Sequence, residues 1–177
     1  MTSELRVDAL KNIDGESVAT FASDGEVTLP NQPAFLMERT TDVTGTANAN
    51  SYITYDTSKY DIGSNASTST GLFTAPVAGV YIFTCMFAIN GGDGSDDSMG
   101  VGFRVNSNSD YYNITPTNVN SFRINPRHLT RSGVEHTYTF TEIHRLQANA
   151  TVGFYIVDWD YASTVLEHAT FSGAKVG

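Results

Sequence analysis

The sequence predicts an all-β fold, either a sandwich or a barrel. Three observations carry that prediction. Thr, Val, Tyr, Phe and Ile recur in short runs that alternate with polar residues, which is the period of a strand. Gly, Asn, Asp and Ser break those runs at short intervals, as turns require. No stretch sustains a helical period; residues 5–10 are the only helix candidate.

The elements follow in chain order. Asp14-Gly15 and Asp24-Gly25 are hairpin-turn dipeptides, and each precedes a short alternating stretch, residues 17–21 and 26–29. Further strands are expected over residues 52–56, 80–90, 100–106, 136–146, 151–159 and 167–173. Residues 40–51 and 62–70 are rich in Thr, Asn, Ser, Gly and Ala and read as loops.

The chain has 177 residues, which suits one domain and a short appendage. Composition shifts near Pro30 and Pro33, so the expected division is 1–32 and 33–177. The first part holds Glu4, Asp8, Asp14, Glu16, Asp24 and Glu26 against Arg6 and Lys11. It is too small to bury a core alone. Its Leu5, Val7, Val18, Phe21, Val27 and Leu29 therefore need partners elsewhere, as in a stalk or docking arm. A flexible tail is the other reading.

Charge narrows the partners. Nineteen acids against ten bases give a net charge of −9. That excludes nucleic acid as the main partner, since phosphate binding needs a basic face. It excludes adhesion to anionic membranes for the same reason. The one cysteine, Cys85, can form no internal disulfide. The opening MTSELRVDALK lacks an apolar signal core, which predicts a protein made in a cytoplasm.

Two strands are apolar on both faces. In residues 80–89, Tyr81, Phe83, Cys85, Phe87 and Ile89 alternate with Val80, Ile82, Thr84, Met86 and Ala88. In residues 151–159, Val152, Phe154 and Ile156 oppose Tyr155, Val157 and Trp159. An antiparallel sheet ordinarily leaves one face wet and polar. With no helices to spare, a partner subunit is the simplest cover. The expected oligomer interface includes Val80, Ile82, Met86, Tyr155 and Val157.

Several segments together resemble the C1q family of globular heads. They are Pro33-Ala34-Phe35, then Gly71-Leu72-Phe73-Thr74-Ala75-Pro76-Val77-Ala78-Gly79-Val80-Tyr81-Ile82-Phe83, then Leu146 before Val152, and Ala169-Thr170-Phe171-Ser172-Gly173. The resemblance covers residues 33–177. It implies a ten-stranded jelly roll, related to the tumour-necrosis-factor fold, that assembles as a homotrimer. Phe35, Phe73, Tyr81, Phe83, Phe154 and Phe171 are then expected in the core. Pro76 ends one strand, having no donor for a ladder. Gly79 is expected to permit the following turn. Asn149-Ala150 stand where the family usually has Gly-Asp, so that turn should differ.

The N-terminus is similar to something else. Ser3-Glu4-Leu5-Arg6-Val7-Asp8-Ala9-Leu10-Lys11 and Gly15-Glu16-Ser17-Val18-Ala19-Thr20 resemble the start of fibre and other virion proteins of marine tailed phages, cyanobacterial phages among them.

Candidate sites come in three groups. Asp93, Ser95 and Asp97 alternate as calcium ligands would, although Ser98 and Arg104 stand where an EF-hand needs Gly and Glu. The same loop also reads as a solvated turn, so the expectation is no cofactor, with calcium as the candidate. Tyr111 and Tyr112, with Arg123, Arg127 and Arg131, are candidate contacts for a host glycan or an acidic neighbour. Ordinary loop salt bridges account for those arginines equally well. His136, Glu142 and His144 share a strand face, and the adjacent Glu142 and His144 can pair. Cys85 reads as an inert buried thiol, and no nucleophile motif is found.

The sequence-level expectation is a non-enzymatic trimeric virion protein, assembled in the host cytoplasm. It would be a capsid decoration, a surface knob or a short tail-fibre head, attached through residues 1–32. The competing expectation is a receptor-binding tip that recognises a host glycan or lipopolysaccharide.

Overall fold

The computed structural model describes residues 7–15, 17–29, 32–44, 51–90, 99–106, 122–124, 135–159 and 165–176. The chain divides into two compact units, Met1–Gln32 and Pro33–Gly177. Every described element is a strand or a turn.

The first unit is an antiparallel meander of β1 (Ala9–Lys11), β2 (Ser17–Phe21) and β3 (Val27–Thr28). Its two turns share one design. Gly15 N–H donates to Asn12 O at 3.1 Å, and Gly25 N–H donates to Ala22 O at 3.0 Å. Gly15 and Gly25 take φ of 83° and 91°, a region that glycine enters without penalty. The helix candidate over residues 5–10 is thereby corrected. Ala9 and Leu10 pair with Thr20 and Ala19, because the turn at Gly15 folds β2 back onto them.

The second unit is a jelly-roll sandwich. One sheet has the order β13-β10-β15-β4-β7 and the other β12-β11-β14-β9-β8. The first joins β4 (Ala34–Arg39), β7 (Thr57–Ile62), β10 (Gly79–Asn90), β13 (Glu135–Leu146) and β15 (Val165–Lys175). The second joins β8 (Ala66–Ser67), β9 (Leu72–Thr74), β11 (Met99–Asn106), β12 (Phe122–Ile124) and β14 (Thr151–Trp159). These two paths contain the ten strands expected. The two-residue β5 (Val43–Thr44) and β6 (Ser51–Tyr52) attach to β15 and β14.

Aromatic rings fill the space between the sheets. Phe35, Phe73, Tyr81, Phe83, Phe154 and Phe171 are all buried. The Phe35 ring stacks on Phe73 at 4.9 Å and meets Phe171 edge-on at 4.8 Å. Phe103 and Phe154 make a second edge contact at 5.1 Å. Such geometries add to the burial of area itself. They also explain the closing Phe171-Ser172-Gly173. A Cβ on Gly173 would stand 2.5 Å from Phe83 and 2.8 Å from Phe35. Glycine leaves the room those two rings occupy.

One turn differs from expectation. Gly79 is not the turn residue; it opens β10 opposite Leu146, outside the left-handed region. Eight residues earlier, Gly71 does lie in that region, with φ of 69°. Asn149 also lies there, at φ of 66°, which Asn tolerates better than most residues. That accounts for Asn149-Ala150 at this turn. Asn149 N–H donates to Ala75 O at 2.7 Å, and Ala75 N–H donates to Ala150 O at 2.8 Å. The turn before β14 is thus tied to the Thr74-Ala75-Pro76 segment.

Among the described residues, one buried hydroxyl lacks a strong partner. Tyr55 Oη has no hydrogen-bond partner among the described residues, and its polar neighbour is the Cys85 thiol, a weak one. Burial raises the pKa of both groups, so both stay neutral at ordinary pH. The Tyr55→Phe variant should gain about 1 kcal/mol, because it removes an unsatisfied buried oxygen. Urea unfolding of the full chain tests this. A lower midpoint would show that the hydroxyl is bonded after all.

Candidate functional site

The outward face of the first sheet is built by strand alternation and register. On β10, Tyr81, Phe83, Cys85 and Phe87 point inward and are buried. Val80, Ile82, Thr84 and Met86 therefore point outward. Register then extends a row across five strands. Ile82 lies opposite Ile143 of β13 and Ala174 of β15. Ala174 lies opposite Ala34 of β4, and Ala34 opposite Ile62 of β7. The row Ile143–Ile82–Ala174–Ala34–Ile62 is apolar from edge to edge.

The neighbouring row runs Thr141–Thr84–Ser172–Leu36–Tyr60. Here the Thr84 and Thr141 hydroxyls hydrogen-bond to each other at 3.0 Å. They thus satisfy one another without presenting charge. Ile143 is 66% exposed, Tyr60 48%, Ile62 42% and Met86 41%. Isolated apolar side chains on a surface need no explanation, but an aligned apolar row does. Beyond Met86 the face sinks into a depression of about 310 Å³, lined by Ala88, Thr137, His168, Thr170 and Glu38 among others. Lys59 forms an ion pair with Glu38 beside it.

The second sheet presents a different surface. Phe103 and Val105 of β11 and Phe154 and Ile156 of β14 point inward, so Arg104 and Tyr155 point outward. The Arg104 guanidinium lies 4.6 Å from the Tyr155 ring centre and 5.9 Å from that of Tyr52. The two tyrosine rings meet edge-on at 5.0 Å. Gly153 makes this possible, since a Cβ there would stand 2.7 Å from the Tyr52 ring. Partial burial raises the Tyr52 pKa, keeping the phenol neutral.

The four expected interface residues whose side chains are described lie on two different sheets. Val80, Ile82 and Met86 belong to the first sheet, whereas Tyr155 belongs to the second. The side chain of Val157 lies outside the described residues. So do Asp93, Ser95 and Asp97, Tyr111, Tyr112, Arg127 and Arg131, and the side chain of Arg123. Glu142 and His144 do pair: His144 Nε2 and Glu142 Oε2 lie 2.8 Å apart, half-buried at the sandwich rim.

A separate polar latch holds the crossing from β6 at the second sheet to β7 in the first. The Asp56 carboxylate accepts backbone N–H groups of Thr40 at 2.7 Å and Thr41 at 2.8 Å. These bonds favour its ionised form and lower its pKa to about 2. Arg39 Nη1 donates to Thr54 O and Thr54 Oγ1, each at 2.9 Å.

The C1q domain profile matches residues 34–124, 91 of the 177 in the chain. The chain belongs to the C1q domain family. No curated protein matches it. Among solved structures, the globular domain of zebrafish complement 1qA is similar at 18% identity, with a TM-score of 0.57 over 82% of this chain and 98% of that one. Murine APRIL is similar at 8% identity, with a TM-score of 0.53 over 82% of this chain and 99% of that one. At these identities the likeness is one of fold.

Proposed function

We propose that this C1q-domain chain is a non-enzymatic homotrimeric structural protein of a tailed-phage virion. It is assembled in the host cytoplasm and displayed as a surface knob, decoration or short fibre head. The observation that carries the assembly is the uncharged row Ile143–Ile82–Ala174–Ala34–Ile62. Burying it removes several large side chains from water at roughly 25 cal/mol per Å² of apolar area. A second copy supplies the cover that an antiparallel sheet face of this composition needs. The virion assignment rests on the similarity of Ser3–Lys11 and Gly15–Thr20 to phage fibre and virion proteins.

Light scattering on the full chain tests the assembly. The expected mass is about three times 19.2 kDa. A monomer at micromolar concentration would overturn the trimer. Mass spectrometry of purified particles tests the virion assignment, and absence from them would overturn it.

The Arg104–Tyr155–Tyr52 platform favours a second reading, a receptor-binding tip for a host glycan or lipopolysaccharide. Tyrosine faces stack on sugar rings and a guanidinium donates to hydroxyls or phosphates. Trimers that bind host cells, and lose that binding on Tyr155→Ala, would establish it.

A further inference from the structure

The N-terminal meander has one apolar face. Leu10 lies opposite Ala19, and Phe21 opposite Val27. Ala19 and Phe21 are two residues apart on β2, so all four share that face. Leu10 is 51% exposed and Val27 56%. Ala19 is itself buried, so Leu10 and Val27 are the part of this face left to water, and three short strands with that little cover are marginal. Both turns are nevertheless fully formed, and Asp24 Oδ1 accepts Glu26 N–H at 3.1 Å. Asp14 and Asp24 sit in the turns, leaving the four face residues uncharged.

We propose that this face packs against the same face in the two other copies of the trimer, closing a three-fold stalk. The proposal rests on the trimer reading above. Chain connectivity supports it. Residues 29–32 join β3 to Pro33 and reach at most about 14 Å. Pro33 leads directly into Ala34, a member of the apolar row. Assembly through that row thus tethers three meanders by short links at their common interface. Short links give effective concentrations in the millimolar range. A weak apolar contact is sufficient at that concentration. The occupant is therefore a second and third copy of the same segment.

Cross-linking of the full chain tests this. Cys85 is buried, so a thiol introduced on the surface reacts alone. Val27 and Val18 are nearly equally exposed, at 56% and 52%, but lie on opposite faces of the meander. Under mild diamide oxidation, Val27→Cys should form covalent dimers within the trimer, at least tenfold faster than Val18→Cys. Hydrogen exchange at β1–β3 should be slow in the unmodified trimer and faster in Phe21→Ser. A chain that stays trimeric by light scattering, yet cross-links equally at both positions or at neither, would overturn the stalk alone. A monomeric full chain would overturn the stalk together with the trimer reading.

Discussion

On the proposed assembly, a full chain carrying Ile82→Asp is expected to keep its fold and fail to form the proposed trimer. Ile82 points out of the sandwich, between Ile143 and Ala174, and contributes nothing to the packed aromatic core. The folded monomer should therefore tolerate a carboxylate there. The assembled form should not, because each copy would bury an unpaired charge in an apolar contact. The effective cost is several kcal/mol per ion. Since about 1.4 kcal/mol is a factor of ten, association should weaken by 100-fold or more. Light scattering should report a mass near 19.2 kDa at concentrations where the proposed trimer of the unmodified chain is expected. Circular dichroism should still show strands. Val77→Asp is the control, since Val77 is 48% exposed and lies in the turn before β10. An Ile82→Asp trimer would place the interface on another surface.

The strands that could be read in the sequence are the long ones. Residues 151–159 coincide with β14, and β10, β11 and β13 each begin one residue before the sequence reading. Each presents several repeats of an apolar–polar or apolar–apolar alternation, so a local pattern suffices. Two strands of the first sheet escaped. In Thr57–Ile62 nearly every residue is exposed, so no alternation marks it. Ala34–Arg39 marks itself only by the motif after Pro33, although Phe35 and Met37 face inward with regular period. The two-residue β5 and β8 fall in stretches read as loops, because only a distant partner strand defines them.

The candidate site was half legible for the same reason. Val80, Ile82 and Met86 stand out on one two-faced strand. Ile143, Ala174, Ala34 and Ile62 do not, because their place in the row depends on register between segments far apart in the chain. Ile82 and Ile143 are neighbours separated by 61 residues. Likewise Tyr155 stood out by alternation, but its partners Arg104 and Tyr52 come from different strands. Gly153, opposite Arg104, gives no sign in the sequence that a ring lies across it.

Gly71→Ala is expected to be among the most damaging single substitutions in the head. Two penalties coincide there. The residue sits at φ of 69°, which costs a residue with a Cβ about 1–2 kcal/mol. The added carbon would also stand 1.9 Å from the carbonyl oxygen of Ile53. That atom belongs to the backbone, so no side-chain rotation relieves the clash. The segment holding it is fixed on both sides. Ile53 N–H donates to Phe154 O at 3.0 Å, and Tyr55 N–H donates to Thr68 O at 2.9 Å. Relief requires the β8–β9 turn to move away, which would disturb Phe73 and its stacking on Phe35. Overpacking of this kind costs about 1–3 kcal/mol more. The sum, roughly 2–5 kcal/mol, is a large fraction of the stability of an ordinary domain. Urea unfolding should show a correspondingly lower midpoint with an unchanged slope. A loss below about 1 kcal/mol would mean that the chain passes Ile53 with more room than this close approach allows. The glycine of the Gly71-Leu72-Phe73 motif would then be there for some other reason.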